Sequence, residues 1–418
     1  MSNCRKSCHQ PGLYSQVIQP ACRWLFLGSL LSWVWVGAVG LGQPAPTVPP
    51  TTTPSPAPAL PLKPVPLPLG LGSDEQIFGA TGWPSDRTAL LVAIDHSLRY
   101  LETANAVDFY RTYSVPGITR DRVRRSLERF RQLVLSARTA SQLQRAVKQE
   151  FIFYQARGKD GRGTVGFTGY FEPVYLASRV PTPVYRYPLF RLPADLKTWP
   201  KPHPTRLELE GTDGLQAAKG RLKGLELVWL RDRLEAFLIQ VQGSARLKLT
   251  DGSTLTVGYA GHTDSPYTGI GRELVKDGKL KPEELLLPFV IRYFRQHPED
   301  LSIYLPRNQR FVFMRETGGN PATGHLNAPV TPERSIATDK TLFPPGALAL
   351  IQTQIPYATK AGQLEQRPVT RYVLNQDTGG AILGPGRVDI FMGTGQRAGD
   401  RAGLINATGQ LYFLLLKQ

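Results

Sequence analysis

Apolar residues recur at helical spacing in three stretches beyond residue 73. Leu91, Ile94, Leu98 and Leu101 form one stripe, with Ser85 or Asp86 placed to cap its helix. Val123, Leu127, Phe130 and Val134 form a second, and Leu143, Val147 and Phe151 a third that starts near Ser141. Each stripe reads as a core face. From Thr164 onward Gly and Pro recur and the apolar runs shorten to strand length, the pattern of barrels joined by tight turns. The segments RYVLN, VDIFM and LYFLLL read as strands, and Pro344-Pro345-Gly346 as a hard turn between RSIATDKTL and ALALIQT. One more helix is expected from Glu283 to His297, where Pro288 predicts a kink or a late start.

One hairpin can be read to its register. In ARLKLTDGSTLTV a two-residue Asp251-Gly252 loop sets Leu249 opposite Thr254 and mixes the two faces. A three-residue loop, Thr250 to Gly252, sets Leu247 opposite Leu255 and Ala245 opposite Val257, with Gly252 free to turn left-handed. The second register is the one expected.

The amino-terminal part follows different rules. Trp24 to Leu41 is a long apolar run without a charge, preceded by Arg5, Lys6 and Arg23 and ending in small residues, the layout of a secretory signal. It is also nearly long enough to span a bilayer, so residues 1–42 are read as a signal peptide or a membrane anchor, with an exported, periplasmic or envelope location either way. Pro, Ala, Thr and Ser dominate Pro44 to Pro68, and residues 43–72 are read as an extended linker. Cys4, Cys8 and Cys22 all precede the apolar run. Removal of that run leaves no cysteine for a disulfide, a metal site or a nucleophile.

Of the 418 residues 41% are hydrophobic and 20% charged, a folded-protein balance. The net charge of +17 favours polyanionic partners such as nucleic acid, an anionic membrane face or a carboxylate-rich polymer. The basic residues are scattered without interleaved aromatics, which argues against nucleic acid. Among the six histidines no pair has metal-ligand spacing on a helix, so no metal is expected. His262, in YAGHTDSPYTGIG, reads as an exposed loop imidazole.

The most informative stretch is NQDTGGAILGPGRVDIFMGTGQRAGDRAG, which brings Asp377 and Asp389 into a glycine-dense segment. Glycine there either lets backbone approach a bulky ligand or turns a barrel corner. Asp377-Thr378-Gly379 has the form of an aspartic protease motif, but a second copy is absent and a homodimer would have to supply it. Gly393-Thr394-Gly395 is spaced wrongly for a dinucleotide loop. Ser244 lacks the spacing of a nucleophile elbow and reads as a strand hydroxyl.

Taken together, FTGYFEP from Phe167, VQGSARLKLTDGSTLTVGYAG from Val241, PYTGIGRELVKDG from Pro266, RSIATD from Arg334 and QDTGGAILGPGRVDIFMGTG from Gln376 resemble the membrane-bound lytic murein transglycosylase A family. The resemblance implies a mainly β fold with attached helices, in which a double-psi β-barrel is interrupted by a smaller β-domain. Residues 73–173 and 318–418 would form the helices and barrel, and 174–317 the insertion. The implied substrate is peptidoglycan, cut at the β-1,4 linkage between N-acetylmuramic acid and N-acetylglucosamine to leave 1,6-anhydro ends. By the family's pattern Asp389 is the single acid and base, with Asp377 a nearby second carboxylate. Thr168, Gly169 and Tyr170 would line the groove from the barrel side, and Gln242 and Gly243 from the insertion. No cofactor is implied. The family's lipid-anchoring cysteine has no counterpart after the apolar run, so any membrane tether rests on that run itself. A water-using muramidase and a non-catalytic peptidoglycan-binding protein are the competing expectations.

Overall fold

The computed structural model describes residues 60–66, 70–79 and 84–418. The expected signal or anchor and most of the Pro-rich linker lie outside the described residues. In chain order a short strand β1 (Leu62–Val65) precedes four helices, α1 (Arg87–Leu101), α2 (Ala104–Arg111), α3 (Arg120–Ser136) and α4 (Ala140–Glu150). Strands β2 (Phe151–Ala156) and β3 (Val165–Glu172) follow. Next come β4 (Val174–Ser178), β5 (Tyr187–Phe190), α5 (Arg206–Glu210), β6 (Glu226–Leu230), α6 (Arg233–Gln242), β7 (Ser244–Leu249), β8 (Thr254–His262), α7 (Ile270–Lys276), α8 (Leu287–Gln296), α9 (Leu301–Tyr304) and β9 (Val312–Glu316). The chain closes with β10 (Ser335–Ala337), β11 (Leu348–Ala358), β12 (Leu364–Asp377), β13 (Arg387–Thr394), α10 (Gln396–Ala402) and β14 (Asn406–Leu416).

Thr103, Thr119 and Thr139 each begin a helix by accepting the backbone N–H three residues on, which stabilises each start by about 1 kcal/mol. The stripe Val123, Leu127, Phe130 and Val134 is buried, as its spacing predicts. On α1 the fully buried side is Leu90, Ile94 and Leu101, while Leu91 and Leu98 pack at its margin. The helix expected near Ser141 is α4, which begins at Ala140 behind its cap Thr139, and Phe151 already belongs to β2.

Strands β14, β11, β12, β10, β13 and β3 pair in that order, and β3 pairs back onto β14, closing a six-stranded double-psi β-barrel. Its interior and the helices share one core that includes Phe167, Ile336, Val388, Ile390 and Phe413. Part of the expected linker is structured: β1 adds to β2 outside the barrel, with Leu62 opposite Ala156 and buried. Pro64 is tolerated because β1 is an edge.

The second sheet runs β5-β6-β4-β7-β8-β9, and a bridge between Arg191 and Met314 brings its two edges together. Its hairpin has the three-residue loop: Leu247 faces Leu255, Ala245 faces Val257, and Gly252 sits at φ 84°. This part of the chain carries more helix than its sequence suggested. Within RLEAFLIQV the short apolar run Ala236 to Ile239 fits a buried strand as well as a helix. Asp232 decides the matter by capping α6 through Leu234 N and Glu235 N, and Gly243, at φ 80°, ends it. Pro288 marks a late start, within the first turn of α8.

Only Pro173 separates β3 of the barrel from β4 of the second sheet, and its carbonyl accepts Arg246 N at 2.9 Å. That short, bonded passage fixes the two sheets side by side. Gly169 matters to the same passage. A Cβ there would lie 2.8 Å from the Ala402 Cα of α10 and 2.9 Å from Ile405 Cδ1. Gly169→Ala is therefore expected to destabilise the protein by about 1–3 kcal/mol, the cost of overpacking against backbone, read as a lower thermal midpoint.

Candidate active site

A groove of about 730 Å³ runs between the barrel and the second sheet. Thr168, Gly169, Tyr170, Gln242, Gly243, Asp377 and Asp389 all line it. Strand register explains how residues so distant in sequence meet. Asp389 on β13 is the parallel partner of Thr168 on β3 and the antiparallel partner of Ala337 on β10. Ala337 in turn pairs with Asp377 on β12 across an irregularity in the β10–β12 ladder. Four adjacent strands thus set Thr168, Asp389, Ala337 and Asp377 in one row, with a methyl group between the two carboxylates.

Asp389 is half-buried, and its Oδ1 accepts the Thr168 hydroxyl at 2.8 Å. Burial pushes its pKa up to about 6; the Thr168 bond and the Arg387 charge oppose the rise, and Asp377 adds to it. Arg387 lies two residues earlier on the same strand and so faces the same side. Tyr267, from the loop before α7, closes the site from the second sheet and feels both Arg387 and Asp389.

Asp377 has a different environment. Its Oδ2 accepts the Tyr170 hydroxyl at 2.6 Å, and its Oδ1 accepts His325 N at 2.9 Å and Thr378 N at 2.8 Å. Burial raises its pKa, and these three donors pull it back by favouring the ionised form. One carboxyl is lightly bonded and poised to titrate near neutrality, while the other is held by three donors.

Gln242 reaches across from the end of α6, its Oε1 accepting Phe171 N at 3.0 Å, so it braces the two sheets as well as lining the groove. Ser244 opens β7 and also lines the groove. His262 is not in a loop: it ends β8, half-buried on the groove wall, with Nδ1 2.6 Å from Thr263 O. Tyr259, Tyr267, Arg310, His325, Lys340 and Arg387 line the groove too, and sequence reasoning singled out none of them. Tyr267 and Arg387 lie inside quoted motifs, next to the glycines and aspartate that drew notice. Arg310 stands in no motif and is brought in by folding alone.

Comparison with known proteins bears on this geometry. Residues 166–315 match the family model of the MltA specific insert domain, and residues 334–415 that of the 3D domain. The membrane-bound lytic murein transglycosylase A of Escherichia coli K12 is 30% identical over 263 residues, spanning 62% of this chain and 68% of that protein. Its namesake in Vibrio cholerae is 31% identical over 267 residues, 63% and 68% of the two chains. The crystal structure of the membrane-bound lytic murein transglycosylase from Agrobacterium tumefaciens superposes with a TM-score of 0.63 at 26% identity, covering 79% of this chain and 93% of that one. E. coli MltA with bound chitohexaose shares the fold, with a TM-score of 0.65 at 23% identity over 86% and 95% of the two chains. On this combination of fold, matched domains and sequence identity, the chain belongs to the membrane-bound lytic murein transglycosylase A family.

Proposed function

We propose that the protein is a lytic transglycosylase of peptidoglycan whose acid and base are one residue, Asp389. The family is that of peptidoglycan-cleaving lyases of the cell envelope. The observation that carries the assignment of residues is the contrast between the two carboxyls. Ordinary glycoside hydrolysis needs two free carboxyl groups, one to protonate the leaving oxygen and one to act as nucleophile or to activate water. Here Asp377 is held by Tyr170, His325 N and Thr378 N. It is suited to stabilise positive charge on the sugar and to raise the pKa of its neighbour, not to move a proton. Asp389, with a pKa near 6, carries a proton at mildly acidic pH in a sheltered groove.

In the reaction Asp389 donates its proton to the oxygen bridging N-acetylmuramic acid and N-acetylglucosamine as the bond to the anomeric carbon breaks. The 6-hydroxyl of the muramic acid attacks that carbon, closing a 1,6-anhydro ring, and returns its proton to Asp389. Thr168 orients the carboxyl, Tyr170 holds Asp377 in place, and Gln242 and Gly243 border the groove from the second sheet. The amino-terminal apolar run, cleaved or retained, would deliver this groove to the envelope side where its substrate lies.

Digestion of purified peptidoglycan, followed by mass spectrometry of the new ends, tests the reading. Anhydro ends, one water lighter than reducing ends, are expected. Reducing ends would identify a water-using muramidase, and binding without new ends a non-catalytic wall protein.

The pH profile gives a second test. Asp389 must be protonated to act, so kcat/KM is expected to fall as pH rises through about 6. The Thr168 hydroxyl donates to the ionised form and lowers this pKa. Thr168→Val removes that donor, so the alkaline limb should move to higher pH by on the order of one unit. A limb that stays fixed or moves down would mean that another group controls the rate.

A further inference from the structure

Basic side chains from both halves of the molecule line the groove. His262, at the end of β8, and Arg310, just before β9, come from the second sheet; His325 and Lys340 come from segments flanking β10 of the barrel. Arg310 and Lys340 both bear electrostatically on His262, and Lys340 also on His325, so Lys340 is a neighbour of both imidazoles. Arg310 Nε donates to Ser265 O at 2.8 Å, which fixes the guanidinium across the groove against Gly380. A Cβ on Gly380 would collide with Arg310 Nη1, so the arginine uses the space that this glycine leaves. Among the described residues, the two terminal nitrogens of Arg310 and the Lys340 ammonium meet no hydrogen-bond or ion-pair partner.

The nearby acids do not neutralise them. Asp339 is taken by Thr341 N, the Thr341 hydroxyl and Gly384 N. Asp264, which faces His262, accepts His203 N at 2.8 Å. Burial lowers the pKa of both His262 and His325, with the cations adding to the fall, so the imidazoles are neutral hydrogen-bonding groups near pH 7. The half-buried Arg310 without a counter-charge is costly unless a ligand brings the opposite charge, and the exposed Lys340 adds a second free cation beside it. A glycan backbone of N-acetyl sugars is neutral; its negative charge is carried by the lactyl substituent of muramic acid or by the peptide attached there.

Resting on the function proposed above, we propose that Arg310 and Lys340, with His262 and His325, form a subsite for a carboxylate attached to the muramic acid 3-lactyl group. The residues come from both sheets, so occupancy also draws the two sides of the groove onto the strand. Fork geometry suits Arg310 to a planar carboxylate, and the flexible Lys340 supplies a second charge.

The test compares cleavage of peptide-bearing strands and of bare strands, each before and after amidation of their carboxylates with carbodiimide and ammonia. With the wild-type protein, amidation is expected to lower kcat/KM roughly tenfold, the effect of about 1.4 kcal/mol. Arg310→Gln and the exposed-site variant Lys340→Gln should each shrink that ratio toward one. Gly380→Ala should do the same by displacing an otherwise intact arginine, while Arg310→Lys keeps part of it. Sensitivity confined to peptide-bearing strands identifies a stem-peptide carboxylate; sensitivity in bare strands identifies the lactyl carboxylate. The subsite is refuted if amidation has no effect on the wild type, or if wild type and variants respond to it equally. Failure of the wild-type protein to cleave any strand would overturn the proposed function instead.

Discussion

Asp389→Asn is expected to lower the rate of peptidoglycan cleavage by about 10²–10⁴, the range lost when a general acid is removed, and to leave the fold and glycan binding in place. Asparagine nearly matches the carboxyl in shape and still offers an oxygen to the Thr168 hydroxyl, so the row across β3, β13, β10 and β12 need not shift. What disappears is the proton. The same substitution should raise the thermal midpoint at neutral pH. A carboxyl whose folded pKa is about 6 instead of the usual 3.8 binds protons more tightly in the native state. Native stability from this group is therefore whole below about pH 4 and declines as pH rises through 6. Removing the ionisable group removes that decline. Turnover assays give the first effect, and melting curves at pH 5 and pH 8 give the second, with the gain expected to be larger at the higher pH. Wild-type turnover by the purified variant would discard Asp389 as the acid. A gain in stability with loss of turnover would mark the site as one where function holds a charge that folding disfavours.

Much of this arrangement was legible in the sequence, and the parts that were not share a physical reason. The stripe on α3 and the register of the β7–β8 hairpin follow from local spacing and turn chemistry, so they were readable directly. The helix α6 was not. Its apolar run satisfies two periodicities, and its assignment depends on a single capping aspartate at Asp232. Strand β1 was hidden by proline-rich composition, because its pairing with β2 is set by an edge that only the folded sheet provides. In the candidate site the aspartates were visible through the glycines around them. The family resemblance already separated their expected roles, but the hydrogen bonds that distinguish the two carboxyls were not legible, since the donors to Asp377 come from β3 and from the loop holding His325. Arg310 and Lys340 carry no local signature at all. Their significance lies in what they fail to meet.

The block RSIATD drew notice beside the glycine-rich motif, and the structure assigns its first residue a mechanical task. Arg334 is wholly buried. Its guanidinium binds Asp86 Oδ2 through Nε at 2.9 Å and Oδ1 through Nη2 at 2.6 Å, and meets Asp74 Oδ2 and the Tyr372 carbonyl through Nη1 at 2.5 and 2.7 Å. Asp74 Oδ2 also accepts Tyr372 N at 2.8 Å. One side chain at the head of β10 thus fastens the segment before α1 to the barrel strand that leads to Asp377. A second group supports it: burial pushes the Glu333 carboxyl up, but Arg371 and Arg401 outweigh this and hold its pKa down to about 2. Arg334→Met is expected to destabilise the protein by about 3–5 kcal/mol, because buried Asp74 is left without its counter-charge and Asp86 keeps only its 3.6 Å pair with Arg371. The thermal midpoint should fall on the order of 10 °C. If stranded charge is the cause, adding Asp74→Asn to Arg334→Met should restore part of the loss. The amide introduced by Asp74→Asn keeps an oxygen for Tyr372 N, and Asp86 keeps its pair with Arg371, so the cluster is again neutral. If the double variant is less stable than Arg334→Met alone, the contribution of Arg334 is packing and hydrogen bonding to Tyr372, not charge. Either way Ala337 lies three residues beyond Arg334, between the two carboxylates of the groove. A loosened β10 should therefore lower turnover as well, even at temperatures where the variant remains folded.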